Sequence, residues 1–100
     1  MIAVIAEVAV QPDRVAEFEL IVAELTAAVA DQEPGNLTYR LVRSRTEHGH
    51  YRFFEVYYDR EALEVHGRSE HFTAASRRMT PLLAATPKIE YFDTVAEDRT

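Results

Sequence analysis

The stretch IAVIAEVAV at residues 2–10 carries apolar, mostly β-branched side chains on both of its alternating faces. Ile2, Val4, Ala6, Val8 and Val10 form one face, and Ala3, Ile5, Glu7 and Ala9 form the other. A strand apolar on both sides has to be covered on both sides. Gln11 and Pro12 stop it, because proline cannot donate to a strand ladder. Any fold for this chain must therefore place its first strand inside a sheet with two protected faces.

The rest of the chain supplies one of those covers. Val15, Phe18, Val22, Leu25 and Val29 recur at three- and four-residue spacing, which predicts a helix over residues 13–31. Pro34-Gly35 ends that segment. Residues 36–45 read as a second strand, with Leu37, Tyr39 and Leu41 on one face. A turn at Thr46-Glu47-His48-Gly49 leads to a third strand over 50–58, HYRFFEVYY. Tyr51, Phe53, Glu55 and Tyr57 share one face of it. Asp59 caps a short helix that Gly67 stops, at Val65 or His66, and Ser69 caps another with Phe72, Ala75, Ser76 and Met79 inward. Pro81 kinks or ends it, and residues 88–95 form the last strand.

This order, β-α-β-β-α-β, is the ferredoxin-like arrangement of an α+β domain: an antiparallel sheet with helices on one face. The opposite face is left bare. A second copy of the same sheet is the simplest cover, so the pattern predicts a homodimer. No repeat or linker divides the chain; residues 1–96 read as one domain and 97–100 as a short tail.

Composition excludes several classes of function. Lys and Arg number 11 against 17 Asp and Glu, a net charge of −6, and this sign disfavours nucleic-acid partners. There is no cysteine, which removes disulfides, thiolate nucleophiles, Cys-ligated zinc and iron–sulfur clusters. The apolar runs are too short for a membrane span, and the start lacks the basic region of a signal peptide, so a cytoplasmic protein is expected. No glycine-rich dinucleotide fingerprint, P-loop, nucleophile elbow or H-E-x-x-H occurs, and neither a cofactor nor a metal is expected. His48-Gly49-His50 reads as a surface turn.

Three segments carry a family resemblance. They are Glu33-Pro34-Gly35-Asn36-Leu37-Thr38-Tyr39, Phe54-Glu55-Val56-Tyr57-Tyr58-Asp59, and His66-Gly67-Arg68-Ser69-Glu70-His71-Phe72. In this order and spacing they resemble the antibiotic biosynthesis monooxygenase domain family. The resemblance implies a ferredoxin-like protomer and a dimeric α/β barrel. It also implies a range of reactions: cofactor-free oxygenation of quinols and anthrones, haem degradation, and isomerisation of a phosphorylated signal. The haem-degrading branch fits poorly, since the chain has no Trp and no Asn on its first strand.

Cofactor-free oxygenation needs a pocket for an aromatic ring, a proton acceptor and a donor for the developing oxyanion. His66, ending a helix beside Gly67, is the first candidate base; its alternative is a helix C-terminal His bonded to the last carbonyls. Glu55, in an aromatic strand face, is either a second base or a group that orients His66, or else it pairs with an Arg such as Arg40 or Arg52 or meets its counterpart across the dimer. Tyr57, Tyr51 and Phe53 are candidate ring contacts, Asn36 an amide donor or a turn residue, and His71 a pocket group or a helix-start residue. Phe72 reads as core or as pocket wall. Glu7 suits an interface or an ion pair. Arg40, Arg43, Arg45 and Arg52 either guide an anionic substrate or pair with surface carboxylates. The leading expectation is a monooxygenase acting on a small quinol or polyphenol with O2. The alternatives are an isomerase of a small, possibly phosphorylated carbonyl compound and a non-catalytic dimeric binding protein.

Overall fold

The computed structural model describes residues 1–96; the tail expected over 97–100 lies outside the described residues. Four strands, β1 (Ile2–Ala9), β2 (Asn36–Arg43), β3 (His50–Tyr57) and β4 (Lys88–Asp93), form one antiparallel sheet in the order β2-β3-β1-β4. Helices α1 (Val15–Gln32), α2 (Arg60–Arg68) and α3 (Glu70–Met79) complete the ferredoxin-like α+β fold.

Helix α1 buries Phe18, Ile21, Val22, Leu25 and Val29, the expected stripe with Ile21 added. Each contributes roughly 1.5–3 kcal/mol on leaving water. The stripe packs on the sheet face made by Ala6, Val8, Tyr51 and Phe53. Phe18 meets Tyr51 at a ring-centroid distance of 5.0 Å and Phe53 edge-on at 6.4 Å. Asp59 caps α2 by accepting from the Ala62 N–H at 2.9 Å, and Ser69 caps α3 by accepting from Phe72 at 3.2 Å.

Four local expectations are corrected. Asp13 lies not in the α-helix but in a 3-10 turn, Pro12–Arg14, which leads into α1. Gly67 does not stop α2; it keeps a negative φ, and the helix runs through it to Arg68, where the Ser69 N–H closes it on the His66 carbonyl at 3.1 Å. The second and fourth strands end at Arg43 and Asp93, two residues early. Leu37 does not share a face with Tyr39 and Leu41. Asn36 pairs with Tyr57 and Thr38 with Val56, so Leu37 is the extra residue of a β-bulge and is 49% exposed.

Two features position the site. At Gly35 a Cβ would come within 2.6 Å of the Ala62 Cβ, so only glycine lets the turn after α1 press against the start of α2. The Tyr58 N–H donates to the Gly35 carbonyl at 2.9 Å, tying the same turn to the end of β3. The other feature is the sheet's edge. Ile89 and Tyr91 pair with Ala6 and Val4 and so face the helices, yet they are 53% and 64% exposed. The helices stop short of β4, and a cavity opens there.

Candidate functional site

The cavity lies between the sheet and the helices, with a volume of about 280 Å³. Its floor is Val4, Ala6, Phe53 and Glu55; its helical wall includes Phe18, His66, Phe72 and Met79; Ile89 and Tyr91 stand at β4. Among the described residues, no Arg or Lys lines it. Glu55 and His66 are its buried ionisable groups.

His66 comes from the last turn of α2 and is 4% exposed. Its ring sits among Phe72, Tyr39 and Tyr57, at centroid distances of 4.6, 5.3 and 5.5 Å. Nδ1 lies 2.9 Å from Oε2 of Glu33, which is itself buried. A carboxylate oxygen accepts, so the hydrogen facing it sits on Nδ1. The opposite nitrogen, Nε2, is buried with no hydrogen-bond partner. A buried polar atom left open in a cavity wall is costly unless something binds to it.

Glu33 holds a second imidazole. His71, in the first turn of α3, directs Nε2 at the same Oε2. Glu33 thus ties the end of α1 to both α2 and α3. In the sequence Glu33 stands out only as part of the family-like segment, although it carries a second signal. An acid at a helix C-terminus opposes the macrodipole and calls for a compensating partner. Tyr39, which strand alternation places only on a packed face, lines the cavity against His66. Burial, with Glu55 and Glu33 adding to it, raises the Tyr39 phenol far above its ordinary range, so it stays a donor.

Glu55 accepts the Tyr57 hydroxyl at 2.6 Å, rather than pairing with Arg40 or Arg52; Arg52 instead bridges to Glu7 at 2.8 Å on the opposite sheet face. Tyr57 is wholly buried behind the cavity wall. Burial drives the Glu55 carboxyl above its ordinary value. The Tyr57 hydrogen bond and the His66 imidazole pull it back in part, and the Glu33 carboxylate adds to the rise. Folding therefore takes up a proton between the ordinary and the raised value. That contribution to stability is full below the ordinary value and is lost as pH rises through the raised one. Glu55→Gln removes the buried charge while its amide oxygen still accepts from Tyr57. The variant is expected to melt higher than the parent above the raised value, with the gap closing in acid. Melting curves across pH test this; a variant that melts lower throughout the neutral range would contradict it.

Other candidates lie apart from the cavity. Asn36 donates its amide to the Thr38 carbonyl at 3.0 Å within the bulge. Tyr51 donates to Glu19 at 2.6 Å and lines a separate polar groove with Arg43, Arg52 and Lys88. Phe53 and Phe72 do line the cavity. Arg43 bridges to Glu19 at 3.1 Å. His48 lies 3.2 Å from the Pro12 carbonyl and His50 lies 3.5 Å from Glu47, both at the exposed hairpin tip.

Comparison with known proteins adds a lineage to this geometry. The family profile described as antibiotic biosynthesis monooxygenase matches residues 1–78. The crystal structure of a candidate antibiotic biosynthesis monooxygenase from Caulobacter crescentus CB15 is 45% identical, with a TM-score of 0.93 over 95% of this chain and 90% of that one. Another, an antibiotic biosynthesis monooxygenase, is 29% identical with a TM-score of 0.88, over 96% of this chain and all of that one. An uncharacterised protein of Synechocystis sp. is 29% identical over 99 residues; the match covers 99% of this chain and 66% of that protein, just under two thirds of its length.

Proposed function

The chain belongs to the antibiotic biosynthesis monooxygenase family, and from that premise we propose that it oxidises a small, uncharged hydroxylated aromatic with O2 and without a cofactor. One observation carries the reading: the buried, unpartnered Nε2 of His66 in the wall of an apolar cavity. With Nδ1–H held by Glu33, Nε2 presents its lone pair to a substrate hydroxyl.

The chemistry follows from the substrate's own electrons. His66 takes the proton of a hydroquinone hydroxyl, and the ring, now electron-rich, reduces O2. One oxygen atom enters at a ring carbon and the other leaves as water with two ring-derived hydrogens. Hydroquinone and O2 thus give hydroxyquinone and water; the ring loses four electrons and O2 gains four. Glu55 is the second proton acceptor, and the Tyr39 phenol donates to the developing oxyanion. Phe53 and Phe72 hold the ring. Glu33 touches no substrate; it is the positioning residue that fixes the tautomer of His66.

Substrate charge separates this from the isomerase reading. A phosphorylated carbonyl compound would meet the Glu55 carboxylate and, among the described residues, no Arg or Lys partner in the cavity. A second copy of the chain is the proposed cover for the bare sheet face, where Phe54 and Phe92 are 44% and 42% exposed beside Ala3 and Ile5.

Oxygen uptake by metal-free protein against a panel of hydroquinones and anthrones tests the proposal. Consumption of one O2 per substrate above the uncatalysed rate is expected, with uncharged compounds ahead of their phosphate esters. Absence of uptake on every compound would move the reading to the isomerase or to a binding protein.

A further inference from the structure

The two imidazoles on Glu33 serve the proposed reaction only in part. His66 presents its free nitrogen to the cavity, whereas His71 does not line it. What His71 adds is a second nitrogen donor at the same carboxylate. One ligand atom from each of Glu33, His66 and His71 lies within 4.8 Å of the others, and the carboxylate and His66 are buried. We propose that Glu33, His66 and His71 form a binding site for a divalent transition metal, zinc in the first instance.

Donor chemistry sets the metal. Two imidazole nitrogens and one carboxylate oxygen are a zinc donor set, with a fourth position left for water. A hard cation such as Mg²⁺ or Ca²⁺ would want more oxygen ligands. The three donor atoms already converge, more tightly than a bound ion needs. Zinc bonds of about 2.0–2.1 Å in a tetrahedron set ligand atoms roughly 3.3 Å apart. Oε2 of Glu33 lies 2.9 Å from Nδ1 of His66 and 2.5 Å from Nε2 of His71, so both pairs must part, by about 0.4 and 0.8 Å, to reach that spacing. Entry of an ion spreads the cluster in place of the two hydrogen bonds, and the His71 side chain moves most. The ligands also come from three elements, the end of α1 and the facing turns of α2 and α3, so no single helix has to bend.

A second cavity, of about 270 Å³, is lined by Glu33 together with Asp59 and Glu61. Acidic side chains beside the buried Glu33 attract a cation rather than an anion.

Binding changes what His66 can do. Each neutral imidazole keeps one proton, so a metal on Nδ1 of His66 moves that proton to Nε2. The nitrogen facing the aromatic cavity then donates instead of accepting. This consequence rests on the proposed oxygenase chemistry; the metal site itself does not.

The test uses binding alone. Co²⁺ added to the purified full chain is expected to give a visible ligand-field band that saturates at one ion per chain and is displaced by Zn²⁺. His71→Ala and Glu33→Gln are expected to lose the band, and His50→Ala, at the exposed hairpin, to keep it. Imidazole NMR of the unaltered chain avoids any question of folding. Zn²⁺ is expected to shift the ring signals of His66 and His71 and leave those of His48 and His50 in place. No band at a tenfold excess of Co²⁺, a band that survives His71→Ala, or zinc shifts confined to His48 and His50 would each overturn the site.

Discussion

His66→Asn is expected to lower the kcat of oxygen uptake by about 10²- to 10⁴-fold, the range of a lost general base. KM is expected to stay within a few-fold of the parent. The substitution is chosen for what it keeps. An asparagine amide takes the place of Nδ1 and still donates to Glu33, so the turn after α1 retains its anchor. Phe53, Phe72 and the rest of the apolar wall are untouched, so a ring still has its place. What disappears is a lone pair able to hold a proton. A loss confined to kcat marks a group that acts in the transition state rather than in ground-state binding. Steady-state uptake measured on a saturable hydroquinone decides it. A kcat within tenfold of the parent would remove His66 from the chemistry and leave Glu55 as the remaining buried acceptor in that cavity.

The sequence carried the frame of this site better than its interior. Element order, the α1 stripe and the Asp59 and Ser69 caps were legible because each follows from local periodicity or local hydrogen bonding. Leu37 was misplaced because strand alternation counts residues, and a bulge inserts one without any change in composition. Gly67 reads as a stop, yet glycine ends a helix by taking a positive φ, which Gly67 does not; the helix closes two residues later, where the Ser69 N–H bonds the His66 carbonyl. The partners of Glu55 were misread for a related reason. Arg52 faces the opposite side of the sheet from Glu55, where Glu7 stands across from it on β1. Glu33 and Tyr39 meet His66 only through tertiary packing, across 33 residues in the case of Glu33. No spacing rule links positions that far apart. The one local trace was an acid placed against its helix dipole.

That trace leads to the largest expected loss of stability. Glu33→Ala leaves two imidazole N–H groups without their acceptor. A buried donor deprived of its partner costs about 1–3 kcal/mol. His66 is fully buried and carries that cost in full, whereas the His71 side chain retains 14% of its exposure and can recover part of it from water. A total of roughly 2–4 kcal/mol follows, out of the 5–15 kcal/mol typical of a domain. In a chain of this length each kcal/mol lowers Tm by about 4–8 °C. Urea denaturation would read the loss as a lower midpoint at unchanged slope. A cycle with His71→Ala separates the two bonds. If His71 draws its contribution from Glu33, the double variant should be less destabilised than the sum of the singles. Strict additivity, or a Glu33→Ala midpoint equal to the parent's, would mean that the carboxylate is not what joins α1 to the other two helices. The same cycle bears on catalysis. Without Glu33 nothing among the observed contacts holds the hydrogen on Nδ1, so the imidazole is free to adopt either tautomer, and turnover should fall even in the fraction of molecules that remain folded.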